Sequence, residues 1–206
     1  MGMADTIIAR LRERAADPTR VNGNADRFPR TTPPPVNTAT MAEAEAALRQ
    51  SLPPLLRDAY MLVGDGVFGP GYGLLPLVTN NADPGETVVQ LYSAFTSPDP
   101  DDASWAWPTN LLPFCEWGCA IRSCVDTSSP DGAVVTFDPG ARGPDQPMAL
   151  AFAPTHSSLG QWFSDWLDGI DIWKVMYEPD PARTRTGINP FTKEKIEIPA
   201  YRLRRP

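Results

Sequence analysis

The chain has 206 residues, 42% of them apolar, with 24 Pro, 15 Gly, 6 Trp and 8 Phe; this fits one domain with appendages and many turns, and excludes both wholesale disorder and a second full core. No run approaches the roughly 18 continuous apolar residues of a membrane span and the N-terminus has no signal-peptide pattern, so a cytoplasmic protein is expected. The net charge of −7 is unevenly spread, with 15 acids in residues 58–173 against Arg122 and Arg142 alone; such a body repels nucleic acid and anionic membrane and attracts basic partners.

In chain order, Asp5 is placed to cap a first helix to about residue 16, with Ile7, Ile8, Leu11 and Ala15 on one face. Pro29 and the run Pro33 to Pro35 make residues 21–37 an extended tether. Thr40 and Glu43 form a capping box for a second helix over 41–50, and Leu52-Pro53-Pro54 opens a third whose apolar face runs from Leu55 to Val63. Gly64-Asp65-Gly66 stops it. A first strand is expected over 72–78, interrupted by Pro76. Val88, Leu91, Tyr92 and Phe95 recur at helical spacing, so 87–96 reads as helix, and an acidic loop at Asp99, Asp101 and Asp102 follows it.

Strands are expected at 111–117, 119–126, 133–138 and 147–153, and their tight links imply an antiparallel meander. Leu159, Trp162, Phe163, Trp166 and Leu167 give the clearest helical stripe in the chain, capped by Ser157 or Ser158 and ended by Gly169. The tail is polar and basic, with Ile196, Ile198, Tyr201 and Leu203 marking an edge strand around Pro199. The organisation expected is an N-terminal helix and Pro-rich connector (1–37), one domain (38–178) and a basic tail (179–206).

Chemistry-bearing residues are few. Cys115, Cys119 and Cys124 lack the ligand partners and spacing of a zinc site, and the one histidine, His156, lies in a helix-capping loop. Reduced core thiols, no metal and no cofactor are therefore expected. The Gly-rich run 64–73 has neither a G-K-[ST] nor a following helix, so it reads as turns rather than a phosphate cradle.

Four segments follow one another along the chain: L-P-P-L-L-R-D-A-Y (52–60), G-Y-G-L-L-P-L (71–77), L-L-P-F-C-E-W-G-C-A-I-R-S-C-V-D (111–126) and S-L-G-Q-W-F-S-D-W-L (158–167). Their order and spacing resemble the SUKH superfamily. Within that superfamily the chain is similar to the branch named after the yeast cell-wall assembly regulator, over about residues 41–169. The resemblance implies an α+β fold with a mixed, mainly antiparallel sheet flanked by helices. It further implies a non-catalytic immunity protein that neutralises a cognate bacterial polymorphic toxin, with a regulatory scaffold as the alternative. A toxin acting on nucleic acid carries a basic groove, which makes the acidic middle the expected partner surface: Asp65, Asp83, Glu86, Asp99, Asp101 and Asp102, with Trp105 and Trp107 as aromatic anchors. Nucleic acid, membrane and small-molecule cofactors are not expected as partners.

Overall fold

Five short runs from the middle of the chain pair in sequence order. The structure is a computed structural model that describes residues 2–25, 30–78, 86–143, 146–188 and 193–205. Strands β1 (Gly73–Leu74), β2 (Leu111–Gly118), β3 (Ile121–Asp126), β4 (Val134–Phe137) and β5 (Phe152–His156) form one sheet of order β1-β2-β3-β4-β5. Every pairing in it is antiparallel, so the expected meander forms and no parallel pair enters it. Strand β1 is shorter than expected: Leu75 N–H still donates to the Phe114 carbonyl at 2.9 Å, but Pro76 has no N–H with which to continue. Strand β3 starts late because Gly118, Cys119 and Ala120 all take positive φ, at 84°, 51° and 62°, to turn the hairpin. Pro147 begins a 3-10 turn, Met148–Ala151, and pushes β5 back to Phe152.

Helices cover this sheet. They are α1 (Met3–Ala15), α2 (Thr38–Leu48), α3 (Pro54–Leu62), α4 (Val88–Thr96), α5 (Leu159–Leu167) and a short α6 (Ile172–Met176), whose five residues are too few to show a helical period. Helix α2 begins earlier than its Thr40 box suggests, because Asn37 is the cap and accepts the Thr40 N–H at 2.9 Å. Helix α4 follows the capping box of Thr87 and Gln90, with both reciprocal bonds at 3.2 Å. In α5, Leu159, Trp162, Phe163 and Trp166 are buried, with the Trp162 ring 4.9 Å from Phe114 and 5.1 Å from Phe163. Ser158 caps this helix, and Gly169, at φ 83°, terminates it.

The N-terminal segment packs on this body. Ile7, Ile8 and Leu11 are buried with residues of α3 and α5 in one cluster, and the Arg14 guanidinium lies 4.1 Å from the Trp166 ring centre. Residues 31–36 are extended, as their prolines require, but they are packed rather than free: Val36 N–H donates to Tyr60 and Asp65 N–H to Pro34. The tail also differs from its expected form. Strands β6 (Tyr177–Ile188) and β7 (Lys195–Leu203) make a separate two-stranded ribbon, with a bulge between Asp180 and Thr184 that accommodates Pro181.

Candidate partner-binding surface

The acidic residues singled out from the sequence do not form one patch. Glu86 lies just before α4 and Asp99, Asp101 and Asp102 just after it. The 9 residues of that helix separate the two groups by about 13 Å at 1.5 Å per residue. Asp83 lies outside the described residues. Asp65 is inside the protein, 6% exposed, where its Oδ1 accepts the Leu77 N–H at 2.6 Å. Burial pushes its carboxyl pKa up and that backbone donor pulls it partly back. The expectation that Asp65 faces a partner is thus corrected: the turn between Gly64 and Gly66 folds inward and uses Asp65 to hold the start of the next segment.

Glu86 is exposed but already engaged. Its Oε2 lies 2.9 Å from Nη2 of Arg122, whose side chain is buried, and Glu116 sits 3.6 Å from the same guanidinium. A buried cation needs such partners, so Glu86 has a structural task that no local pattern announces. Nothing local marks Arg122, on a central strand, as buried either.

The 99–102 loop divides its carboxylates between anchor and surface. Asp102 pairs with Nη2 of Arg142 and accepts from both the backbone and the hydroxyl of Ser104, at 2.9 and 2.5 Å. The Ser104 hydroxyl and the Arg142 guanidinium hold its pKa below the usual carboxylate range. Arg142 also donates to the Ser104 hydroxyl and the Gln146 carbonyl. Asp99 and Asp101 are exposed, and the one loop contact they share is the Asp101 N–H donating to Asp99 Oδ1 at 2.8 Å.

The tryptophans beside this loop belong mainly to the interior. Trp107 is 6% exposed, in a small second core with Phe137, Met148 and Ala151, and its indole N–H donates to the Leu111 carbonyl at 2.8 Å. That burial corrects its reading as a surface anchor. Trp105 is half-buried, donates to the Phe95 carbonyl at 2.7 Å and packs 5.6 Å from the Phe95 ring. It therefore ties the loop to the end of α4 while leaving part of its ring at the surface.

Beside the loop runs a groove of about 680 Å³ between α2 and α4, lined by Arg49, Gln50, Tyr92, Ser97, Asn110 and Thr127 among others. Tyr92 donates to the Thr109 carbonyl at 2.8 Å, and the Thr127 hydroxyl donates to Gln50 Oε1 at 2.6 Å. No local pattern announces this groove, because its walls come from segments far apart in sequence.

The chemistry on offer is charge and hydrogen bonding. Burial pushes the Cys115 and Cys124 thiols well up, away from the thiolate a nucleophile needs, while Cys119 is exposed on the β2–β3 turn. His156 is buried, and among the described residues neither ring nitrogen has a hydrogen-bond partner; Asp165 Oδ2 lies 3.4 Å from its Nε2, too long for an ordinary N–H···O bond. Among the described residues no three His, Cys, Asp or Glu come together as metal ligands, and no helix is long and apolar enough to cross a membrane.

The sequence model of the SMI1 / KNR4 family (SUKH-1) matches residues 35–169. A comparison with curated proteins gives no match. The family match runs through α2, α3, α4, the whole five-stranded sheet and α5, leaving α1 before it and α6 with the β6–β7 ribbon after it. Since it covers well over half of the chain, this protein belongs to the SMI1 / KNR4 family (SUKH-1).

Proposed function

We propose that the protein is a non-catalytic immunity protein of the cytoplasm that binds and neutralises a cognate toxin whose basic groove acts on nucleic acid. The observation that carries this reading is the state of the 99–102 loop: Asp99 and Asp101 are exposed, while the Asp102–Arg142 pair and the Trp105 indole bond fix the backbone that presents them. A loop held in shape before binding loses little conformational freedom on complex formation. Two carboxylates on a body with 15 acids in residues 58–173 also complement a basic groove in register and in long-range field. Membership of a family with immunity and regulatory roles supports a protein partner.

The test is coexpression with the C-terminal module of a large secreted protein, if one is encoded beside this gene. The parent chain is expected to protect cells and to bind the module in calorimetry. The Asp99→Asn, Asp101→Asn double variant is expected to bind about tenfold or more weakly, a loss of about 1.4 kcal/mol or more, with its melting temperature unchanged. A parent chain that neither protects nor binds removes the immunity reading. A double variant that binds as tightly as the parent moves the interface away from this loop.

A further inference from the structure

The C-terminal ribbon is two strands without a third. Its root is attached to the body: Tyr177 OH donates to Asp138 at 2.8 Å, the Trp173 and Tyr177 rings stack at 4.4 Å, and Arg204 N–H donates to the Met176 carbonyl at 2.8 Å. The arginines of the root are engaged there, Arg202 and Arg204 with Glu178 and Arg205 with the Leu150 carbonyl. Further out, residues 184–188 of β6 pair with 195–199 of β7, and among the described residues no other strand joins either edge. A lone two-stranded ribbon is marginal in water, and an open edge offers its N–H and C=O groups to another chain. The two edges differ. Strand β6 holds Pro179, Pro181 and the bulge, which discourage pairing, and Arg183 and Arg185, which repel their own copies. Outer β7 runs Lys195-Ile196-Glu197-Ile198, alternating charged with β-branched residues. Lys195 and Glu197 are exposed, and neither has an ion pair among the described residues.

We propose that a second copy of this chain supplies the missing strand, β7 pairing antiparallel with β7 of the copy about a twofold axis at Ile196. A twofold closes the contact into a dimer, because both subunits present the same edge. In this register Lys195 stands opposite Glu197 of the second copy and Glu197 opposite its Lys195, so the strand is complementary to itself and unlike charges meet twice. Either neighbouring axis, at Lys195 or at Glu197, sets a charge against its own copy. An axis further along brings Pro199, which has no N–H to give, into the middle of the ladder. Residues 194–198 of the two copies overlap, which places the contact among transient interfaces of less than about 1,200 Å². The ribbon lies outside the family-matched residues, and the inference stands independently of the toxin reading.

Disulfide trapping tests both the dimer and its register. With Cys119, the exposed native thiol, replaced by Ser, Ile196→Cys sets one thiol from each copy at the axis. Opposed Cα atoms of an antiparallel pair are about 4.5 to 5.5 Å apart, within disulfide reach. Mild oxidation with diamide at high protein concentration is expected to give a covalent dimer on a non-reducing gel. Ile198→Cys, displaced from its own copy by about 13 Å along the strands, is expected to remain monomeric. In sedimentation velocity without the cysteine substitutions, Lys195→Glu or Glu197→Lys alone is expected to weaken self-association about tenfold, since each turns both cross-strand pairs repulsive. The Lys195→Glu, Glu197→Lys double exchange is expected to restore it. Every variant is compared at an unchanged melting temperature. Equal trapping at both positions, no trapping with Ile196→Cys, or a double exchange as weak as the single ones overturns the inference. A parent chain that stays monomeric at every concentration overturns it too, and leaves the edge to a strand from another protein.

Discussion

Asp102 and its two neighbours show how similar carboxylates come to have different tasks. Six aspartates, Asp17, Asp99, Asp102, Asp126, Asp138 and Asp180, each accept the backbone N–H of the residue two positions on. Much of the acidity is therefore turn chemistry. The D-x-S spacing of Asp102 and Ser104 made this legible in the sequence; the Arg142 partner, 40 residues away, did not. Arg142→Ala, which removes a mostly buried guanidinium and its bonds to Asp102, Ser104 and Gln146, is expected to cost about 1 to 2 kcal/mol in urea denaturation. The Asp99→Asn, Asp101→Asn pair should leave the same midpoint in place. His156 adds a pH dependence. Burial lowers its pKa below the ordinary 6.5, and Asp165 opposes that shift. The unfolded chain therefore takes up the proton first as pH falls, so stability is full above 6.5 and declines from there down to the depressed folded pKa. Melting temperatures recorded between about pH 8 and 5 should show this decline in the parent and a flatter profile in His156→Gln; parallel profiles would remove the histidine from the account.

At the scale of elements, the test is whether α1 belongs to the core. Leu11 is fully buried with residues of α3 and α5, so Leu11→Ala should cost about 2 to 5 kcal/mol, like other core truncations of leucine. A cost below about 1 kcal/mol, typical of surface sites, would make α1 a loose appendage. The apolar face of α1 was plain from Ile7, Ile8 and Leu11, but its docking surface was not, because periodicity reports a buried face and not what covers it. Elements whose signals are local were readable for the same reason: α4 from the spacing of Val88, Leu91, Tyr92 and Phe95, and α5 from its stripe of Leu159, Trp162, Phe163 and Trp166. Strand β6 was not, since Pro179 and Pro181 argue against a strand and its pairing depends on a bulge. The candidate surface was the least legible feature. Asp65 and Trp107 carry the same labels as exposed residues, and only the tertiary fold turns them inward.

Across the whole molecule, charge is sorted by region: an acidic body holds the family-matched sheet and helices, and a basic ribbon follows it. This sorting bears on rates more than on equilibrium stability, because exposed like charges on a folded body cost little while their summed field reaches an approaching partner. For a basic toxin the field raises the association rate above the roughly 10⁵ to 10⁶ M⁻¹s⁻¹ of neutral pairs, and salt removes that gain. Asp99 and Asp101 lie at the surface with few internal bonds, so replacing both with Asn should mainly slow association and flatten its dependence on salt. Dissociation should change by less than about threefold if the two carboxylates act through the field alone, since rim charges govern on-rates and buried paired charges govern off-rates. Stopped-flow mixing of toxin and protein across a salt series separates these cases. Slower association in the double variant at low salt, converging with the parent at high salt, is the expected result. Identical association at every salt concentration would mean that the two aspartates contribute nothing to capture, leaving the remaining acids of the body as the source of any steering.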